Sequence, residues 1–271
     1  MKNIVFFDGK RHKAYDDGGM LFEIIGDEAF YILTEKVKRS INSFPDRYLL
    51  PTKETIANGF MWICGLIEDE DYPILSALLK SSFCSAIDEV LNDPDLVESW
   101  DNTGAFLMVC YEEYEKSVAE FEMLFASLAL CESGTNDQLA IALAEDFKSE
   151  AAERMAEYSI PCHYRHVRNH LVTVETVQII NFYELLMFEY CRMQKNNKVI
   201  KICANCGRYF MPLTRNDRIY CDETAPQNPY RTCKQIGSYM RRMEKIHTDP
   251  YERQYHNIIV SDINIFCLQM K

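Results

Sequence analysis

The sequence contains little glycine and no long apolar run. Only 10 of its 271 residues are glycine, and none belongs to a glycine-rich loop of the kind that cradles phosphate. The Gly-x-Ser-x-Gly pattern of serine hydrolases and the His-Glu-x-x-His pattern of zinc proteases are also absent. No segment approaches the roughly 20 apolar residues that a transmembrane helix needs. We therefore expect a protein that is not an enzyme, has no membrane partner and offers no identifiable site for a small-molecule substrate.

The sequence also lacks the pattern of a secretory signal peptide. The apolar run at residues 3–7 is short, and Asp8 and Gly9 follow it directly. Seven of the 11 cysteines are scattered singly, which is typical of reduced, buried thiols rather than of disulfides. These are Cys64, Cys84, Cys110, Cys131, Cys162, Cys191 and Cys267. We therefore expect a soluble, cytoplasmic protein.

Charge is unevenly distributed along the chain, which carries a formal net charge of -12. Residues 1–200 hold 18 basic and 34 acidic residues, whereas residues 201–271 hold 11 basic and 7 acidic residues. An acidic region repels phosphate groups, and a basic region attracts them. The asymmetry therefore favours an acidic partner, such as nucleic acid, for the C-terminal part.

Hydrophobic periodicity predicts a mainly α fold with some β-structure, of the α+β type. Residues 3–7 and 10–14 flank Asp8-Gly9, a pair that favours a tight hairpin turn. Most of the sequence that follows has helical spacing. Helices are predicted over residues 28–44, 52–67, 72–91, 105–131 (as one helix or two), 138–158 and 177–194.

These patterns divide the chain into three regions. An acidic, mostly helical domain spans residues 1–197, a small zinc module spans residues 198–247, and a C-terminal tail spans residues 248–271. A turn at Asn196-Asn197 joins the first two regions, and no long linker separates them.

The sequence predicts both the cap and the buried face of the helix over residues 138–158. The segment Thr135–Gln138 fits a capping box, in which polar side chains bond the free N–H groups of the first turn. Leu139, Leu143 and Phe147 then recur at helical spacing and share one face. We therefore expect these three side chains to pack into the core.

A group of histidines offers a second candidate metal or catalytic site. The alternating pattern of residues 167–174 is typical of a strand, on which His166 and His170 share a face. His163 would not lie on that face, so a common ion with Cys162 is not favoured. We interpret the histidines as surface residues, with a hydrolase-like enzyme as the alternative.

The remaining four cysteines are clustered in the sequence. Their spacing is Cys203-x2-Cys206-x14-Cys221-x11-Cys233. A Cys-x2-Cys turn presents two sulfur atoms to one ion, and four thiolates are a common ligand set of structural zinc. Gly207 permits a backbone turn that aims amide groups at the sulfurs. We therefore predict one structural Zn²⁺ ion, because four protein ligands leave no open position for catalysis.

Two alternatives compete with this zinc site. The four cysteines could be unrelated buried thiols, or Cys203 and Cys206 could form a redox-active pair. The redox alternative calls for the strand-to-helix context of thioredoxin-like proteins, and the sequence lacks that context.

The spacing also predicts the local structure of the zinc module. Tyr209–Leu213 and Arg218–Cys221 are predicted to pair as a hairpin. Residues 222–232, which contain two prolines, are predicted to form a loop. Cys233 is predicted to begin a helix, whose N-terminal dipole favours a thiolate. A knuckle, a hairpin and a helix in this order make a treble-clef-like module.

The segments around the cysteines resemble those of a bacterial protein family. The segments are Ile202–Phe210, Tyr220–Asp222 and Thr232–Lys234. They resemble an uncharacterised domain-of-unknown-function family with a helix-rich N-terminal part and a C-terminal four-cysteine segment. More distantly, they are similar to the CGNR-type zinc finger of bacterial transcription regulators, although no Gly-Asn-Arg follows Cys233. The resemblance implies a zinc-stabilised bacterial protein and, by fold-level analogy, DNA binding.

The helix predicted from Cys233 onward is amphipathic. Ile236, Met240, Met243 and Ile246 would form an apolar stripe, with basic residues on the opposite side. A basic helical face suits contacts to phosphate groups. The candidate nucleic-acid contacts are Arg208, Arg215, Arg218, Lys234, Arg241, Arg242 and Lys245.

Two functions therefore stay open for the zinc module. Residues 203–247 hold 8 basic and 4 acidic residues, so the net charge is modest. Four thiolates around Zn²⁺ would offset about half of this positive charge. The module either binds nucleic acid as part of a regulator, or contacts another protein as part of a scaffold in which zinc only stabilises the fold.

Overall fold

The computed structural model describes two compact units, Met1–Val199 and Ile200–Lys271. We call them the helical unit and the cysteine unit. The described residues are 3–7, 10–15, 21, 24, 28–68, 73–92, 100–157, 162–167, 170–175, 179–212 and 216–254.

Helices dominate the described residues, which confirms the predicted mainly α fold. They are α1 (Glu28–Ser43), α2 (Lys53–Leu66), α3 (Pro73–Asn92), α4 (Thr103–Ser133), α5 (Gln138–Glu157), α6 (Phe182–Lys195) and α7 (Cys233–Thr248). The strands are β1 (Asn3–Phe7), β2 (Lys10–Tyr15), β3 (Cys162–Val167), β4 (His170–Glu175), β5 (Lys201–Ile202), β6 (Tyr209–Phe210), β7 (Thr224–Ala225) and β8 (Asn228–Thr232). Consecutive strands pair as four separate antiparallel hairpins. None of the helices in these described segments is both long and apolar enough to cross a membrane.

The core of the helical unit is built around α4. This helix contacts every other described helix of its unit. Asn102 caps its start by accepting the N–H of Ala105 at 2.9 Å, and Gly134, with φ of 83°, ends it. The predicted segment 105–131 is therefore part of one long helix.

Aromatic rings fill the centre of this core. The ring of Phe182 on α6 lies 5.4 Å from that of Phe121 on α4 and 5.5 Å from that of Phe30 on α1. All three side chains are fully buried. Each buried aromatic side chain contributes a large apolar area, and edge-to-face pairs add to it. The fully buried aromatic residues are Phe30, Phe83, Phe106, Tyr111, Tyr114, Phe121, Phe125 and Phe182.

The buried face of α5 differs from the predicted one. Leu139 is 67% exposed, and the face is formed by small alanines together with Phe147. Alanine side chains allow α5 to pack closely against α4. The face of α5 that is buried is therefore the one whose small side chains permit this close approach, not the one with the largest side chains. The cap also differs, because the side chain of Asp137 accepts the N–H groups of Leu139 and Ala140.

Residues 162–175 form a hairpin rather than one strand. His166 pairs with Leu171 and Val167 pairs with His170, so the predicted strand over 167–174 spans a chain reversal. Alternation cannot distinguish one strand from two short ones separated by a turn. The histidine side chains of this hairpin, and residues 255–271 of the predicted tail, lie outside the described part of the chain.

Candidate metal centre

The first two cysteines lie in a tight knuckle between β5 and β6. Ile202 pairs with Tyr209, and the N–H of Cys203 donates to the carbonyl of Arg208 at 2.9 Å. Gly207 has φ of 72°, a left-handed conformation that glycine adopts without a steric penalty. Its N–H donates to the carbonyl of Cys203 at 2.9 Å and closes the turn.

This pairing corrects the predicted hairpin of Tyr209–Leu213 with Arg218–Cys221. Strand β6, at Tyr209, pairs with the preceding strand β5 across the knuckle, and the described residues 218–221 form no strand. Pairing β6 with β5 fixes a local contact across the cysteine knuckle, and closing a short loop has a small entropic cost. One backbone bond, from Ala204 N–H to the carbonyl of Ile219 at 2.8 Å, brings the third cysteine back to the knuckle.

The last two cysteines are joined by a hairpin that was predicted to be a loop. Thr224 pairs with Thr232 and Ala225 pairs with Asn228, with a turn at residues 226–227. Proline at a turn or in a two-stranded hairpin removes no interior sheet bond, so two prolines do not prevent the pairing. The N–H of Cys233 donates to the carbonyl of Glu223 at 2.9 Å. Cys233 begins α7, as predicted, so knuckle, hairpin and helix give a treble-clef-like unit.

The four predicted ligands converge in space. Their Sγ atoms all lie within 4.8 Å of one another, and those of Cys206 and Cys221 are 3.7 Å apart. A tetrahedron with zinc–sulfur bonds of about 2.3 Å has sulfur–sulfur edges of about 3.8 Å. Three of the thiols are buried, and that of Cys206 is half-buried. The residues could therefore hold one metal ion.

Hydrogen bonds to sulfur support this arrangement. The backbone N–H of Cys221 donates to Sγ of Cys203 at 3.4 Å, and the side-chain amide of Asn205 donates to Sγ of Cys233 at 3.2 Å. Asn205 also pairs with the side chain of Gln227, with donor–acceptor distances of 3.2 and 3.4 Å. Such bonds favour thiolates and orient ligands. Asn205 was not predicted, because the sequence does not show that it lies beside Cys233.

The thiols of the cluster do not ionise equally. Burial opposes ionisation of Cys203, but backbone N–H groups, chiefly that of Cys221, lower its pKa to about 7. Burial raises the pKa of Cys221 and of Cys206, and the thiols of Cys203 and Cys233 raise both further. One thiolate therefore forms readily, and its neighbours ionise with a cation present to offset the combined charge.

The cysteines of the helical unit have a different character. Among the described residues, the four-cysteine cluster is the one group of three or more potential ligands that comes together. Five cysteines of the helical unit are free thiols: Cys64, Cys84, Cys110, Cys131 and Cys191. Burial raises the pKa of Cys110 to about 12. They behave as small apolar side chains, of which Cys110 is buried and the other four are half-buried.

The predicted basic contacts have several different environments. Arg208 is exposed, whereas the side chain of Arg218 is 15% exposed and its guanidinium bonds Asp222 at 2.7 Å. Arg215 lies outside the described residues. The four basic residues of α7 that were predicted as contacts are exposed, and none forms an ion pair with a described residue: Lys234, Arg241, Arg242 and Lys245.

The apolar stripe predicted on α7 is only partly buried. Ile246 is buried, but Met240 is 61% exposed. Gly237 faces the ring of Tyr220, and the guanidinium of Arg241 lies 5.4 Å from the centre of that ring. The helix therefore packs through Cys233 and Gly237 as well as through Ile246, a small-residue contact that the hydrophobic pattern does not reveal.

Comparison with known proteins gives one match. No curated protein and no solved structure matches the chain. Residues 151–262, which are fewer than half of the chain, match the model of a family described as "Family of unknown function (DUF6076)". The matched range includes all four clustered cysteines, so the C-terminal part of the chain is similar to a family of unknown function.

Proposed function

We propose that Cys203, Cys206, Cys221 and Cys233 hold one structural Zn²⁺ ion. The convergence of four sulfur atoms at tetrahedral spacing supports this, as do the N–H groups that donate to two of them. Zinc would stabilise four thiolates and crosslink the knuckle, the hairpin and α7. Because all four ligands come from the protein, the site would have no position for a substrate.

We further propose that the cysteine unit binds nucleic acid through the cationic face of α7, defined as Lys234, Arg241, Arg242 and Lys245. The single observation that carries this proposal is their arrangement. From Lys234, the positions i+4, i+7 and i+11 are Ser238, Arg241 and Lys245, which lie in one row along a helix. Arg242 lies beside the row, and the row contains no acidic residue.

The absence of ion pairs with described residues supports the same function. Arg241 lies over the ring of Tyr220, but no described carboxylate neutralises any of the four cations, so their charge is available to phosphate groups. The cap of α7 and its first residue, Cys233, fix the helix within the unit. The resemblance of the cysteine motif to the CGNR-type zinc finger adds a fold-level analogy.

Salt-dependent binding to a mixed-sequence nucleic acid tests this function. We expect binding at low salt with an affinity that falls steeply as salt rises, because cations released from phosphates drive the association. The double variant R241Q/K245Q should reduce the magnitude of the logarithmic salt slope by about 2, or about 1 for each cation removed from the phosphate-binding face. The variant R39Q/K53Q, with two exposed cations of the helical unit replaced, is the control and should leave the slope unchanged. No binding of the wild-type protein at low salt would contradict the proposal.

A protein contact is the second candidate, and a specific observation favours it. Tyr239 and Met240 are adjacent on α7 and are 53% and 61% exposed. Tyrosine and methionine are enriched at protein interfaces. A unit that keeps its zinc but binds no nucleic acid at low salt would favour this scaffold function.

We also infer a cytoplasmic location. Five cysteines of the helical unit are free thiols, and free thiols persist in a reducing compartment. Mass measurement of the protein purified under non-reducing conditions tests this inference, since disulfides formed in an oxidising compartment would lower the mass and block thiol labelling.

A further inference from the structure

We propose that the nucleic acid recognised by the cysteine unit is single-stranded, and that one of its bases stacks on the ring of Tyr230. This inference rests on the proposed function, and it names the form of nucleic acid that the cationic face of α7 takes. The juxtaposition that carries it is an open aromatic ring on β8, directly before the helix that bears the exposed cations.

The ring of Tyr230 is unusually open. The residue is 92% exposed, and no aromatic or cationic side chain in the described part of the chain contacts its ring. Three tyrosines differ from it because an arginine guanidinium lies over the ring, and Tyr183, under Arg154, is one of them. The ring of Tyr220 lies under Arg241, and the ring of Tyr48 lies 4.7 Å from the guanidinium of Arg47.

The backbone that carries Tyr230 is well fixed. Its N–H donates to the side-chain carbonyl of Asn228 at 2.9 Å, and Pro229 precedes it. Two residues later Thr232 caps α7, and β8 contacts that helix. Because the backbone is fixed, stacking of a ligand on the ring costs the conformational entropy of the side chain alone.

Tyr230 lies close in sequence to the cationic face of α7. Lys234, the first residue of that face, lies four residues after Tyr230. A backbone that follows the row of cations would therefore bring a nucleotide near β8. Phosphate contacts along the row and base contacts at one end are the two elements of a single-strand binding site.

The modest charge of the unit favours a single strand over a duplex. Residues 203–247 carry 8 basic and 4 acidic residues, so few phosphate contacts are available. A duplex offers dense charge, but its bases are stacked on one another and cannot reach an isolated ring. A single strand offers unstacked bases, and stacking on a tyrosine adds affinity that does not depend on salt.

Paired binding measurements on the zinc-loaded full chain test the inference. Fluorescence anisotropy would compare a labelled strand of about 12 nucleotides with the duplex of the same sequence. We expect the single strand to bind about tenfold more tightly than the duplex. Tyr230→Leu should weaken single-strand binding about tenfold with no change in the salt slope, because it removes a ring and no charge. Tyr230→Phe should bind like the wild type, since it keeps the ring.

The controls separate this inference from the proposed function. Tyr48→Leu removes an exposed tyrosine of the helical unit and should leave single-strand binding unchanged. Zinc content equal to that of the wild type would show that each variant keeps the fold of the cysteine unit, and an unchanged Tm would show that Tyr48→Leu keeps the fold of the helical unit. Equal affinity for strand and duplex, or wild-type affinity of Tyr230→Leu for the strand, would overturn the stacking proposal while leaving nucleic-acid binding intact. No binding of either form at low salt would overturn both.

Discussion

The two units of the protein are held together in different ways. The helical unit buries a group of aromatic rings, in which the ring of Phe182 contacts both that of Phe121 and that of Phe30. The buried cluster of the cysteine unit consists of three cysteines and Ala225, with four partly buried side chains around it. One unit therefore has an apolar core and the other has a group of thiols in its place.

This difference shows where the stability of each unit comes from. Burying a large aromatic side chain contributes on the order of 2–3 kcal/mol, so a core of eight such residues is a major source of stability. Alanine and cysteine side chains contribute far less area. A small unit whose buried cluster has so little apolar area gains limited stability from its core and usually needs a disulfide or a metal. The cysteine unit should therefore depend on its ion, and the helical unit should not.

Loss of the metal should have the largest effect and should act on one unit alone. We expect one zinc ion per wild-type chain and less than one in Cys206→Ser. The variant should lose the fold of the cysteine unit, because structural zinc contributes on the order of 10 kcal/mol to such units. Metal analysis and near-ultraviolet circular dichroism measure the two effects. Cys64→Ser, at a half-buried free thiol of α2, is the matched control and should keep its zinc. Absence of zinc from the wild-type protein would contradict the metal site.

A core substitution should produce the reverse pattern. Phe121 is fully buried, and its ring lies 5.4 Å from that of Phe182. Phe121→Ala should lower the free energy of unfolding of the helical unit by about 3–5 kcal/mol, because a large cavity remains. The zinc content should not change. Phe210→Ala, at a partly buried ring beside the cysteine cluster, should leave helical unfolding unchanged. If Phe121→Ala releases zinc at temperatures where the helical unit remains folded, the two units are not stabilised independently.

The two units also contain helical glycines in opposite environments. A Cβ atom at Gly237 on α7 would overlap the ring of Tyr220, whereas a Cβ atom at Gly65 on α2 would meet nothing within 4 Å. Gly237→Ala should destabilise the cysteine unit by about 1–3 kcal/mol through overpacking. Gly65→Ala should stabilise the helical unit by about 0.5–1 kcal/mol, because alanine is the better helix former. The rate of zinc transfer to a chelator and the Tm of the helical unit measure these effects. Equal stabilisation by both substitutions would mean that Tyr220 moves aside freely.

Sequence patterns predicted most of the fold because helical periodicity is a local property. Both ends of α1 and of α2 lie within one residue of the predicted ends. Helix α6 ends within one residue of its predicted end but begins five residues later than predicted. The convergence of the four cysteines followed from their spacing, since a Cys-x2-Cys turn and a helix start restrict where sulfur atoms can lie. Local information was sufficient in both cases.

The predictions that were wrong depend on contacts between distant residues. Leu139 fits a helical stripe but is exposed, because the approach of α4 selects the alanine face of α5. The partner of β6 is β5, and no periodicity identifies the partner of a two-residue strand. Asn205 reaches Sγ of Cys233 across 28 residues of sequence. Residue spacing in a single sequence does not predict which of these residues come into contact.

The smallest expected effect comes from a pair of equivalent helix caps, one in each unit. Thr52 and Thr55 form a capping box at α2, and Thr232 and Gln235 form one at α7. Thr52→Ala and Thr232→Ala should each cost about 0.5–2 kcal/mol, because each leaves a first-turn N–H without its partner. The loss should appear in different measurements. Thr52→Ala should lower the Tm of the helical unit, whereas Thr232→Ala should accelerate zinc loss to a chelator, because Cys233 is the next residue. Serine at either position keeps the hydroxyl and should restore the wild-type value. If Thr232→Ala retains zinc as well as the wild-type protein, the first turn of α7 does not limit release of the metal, and the knuckle would then be the part that opens first.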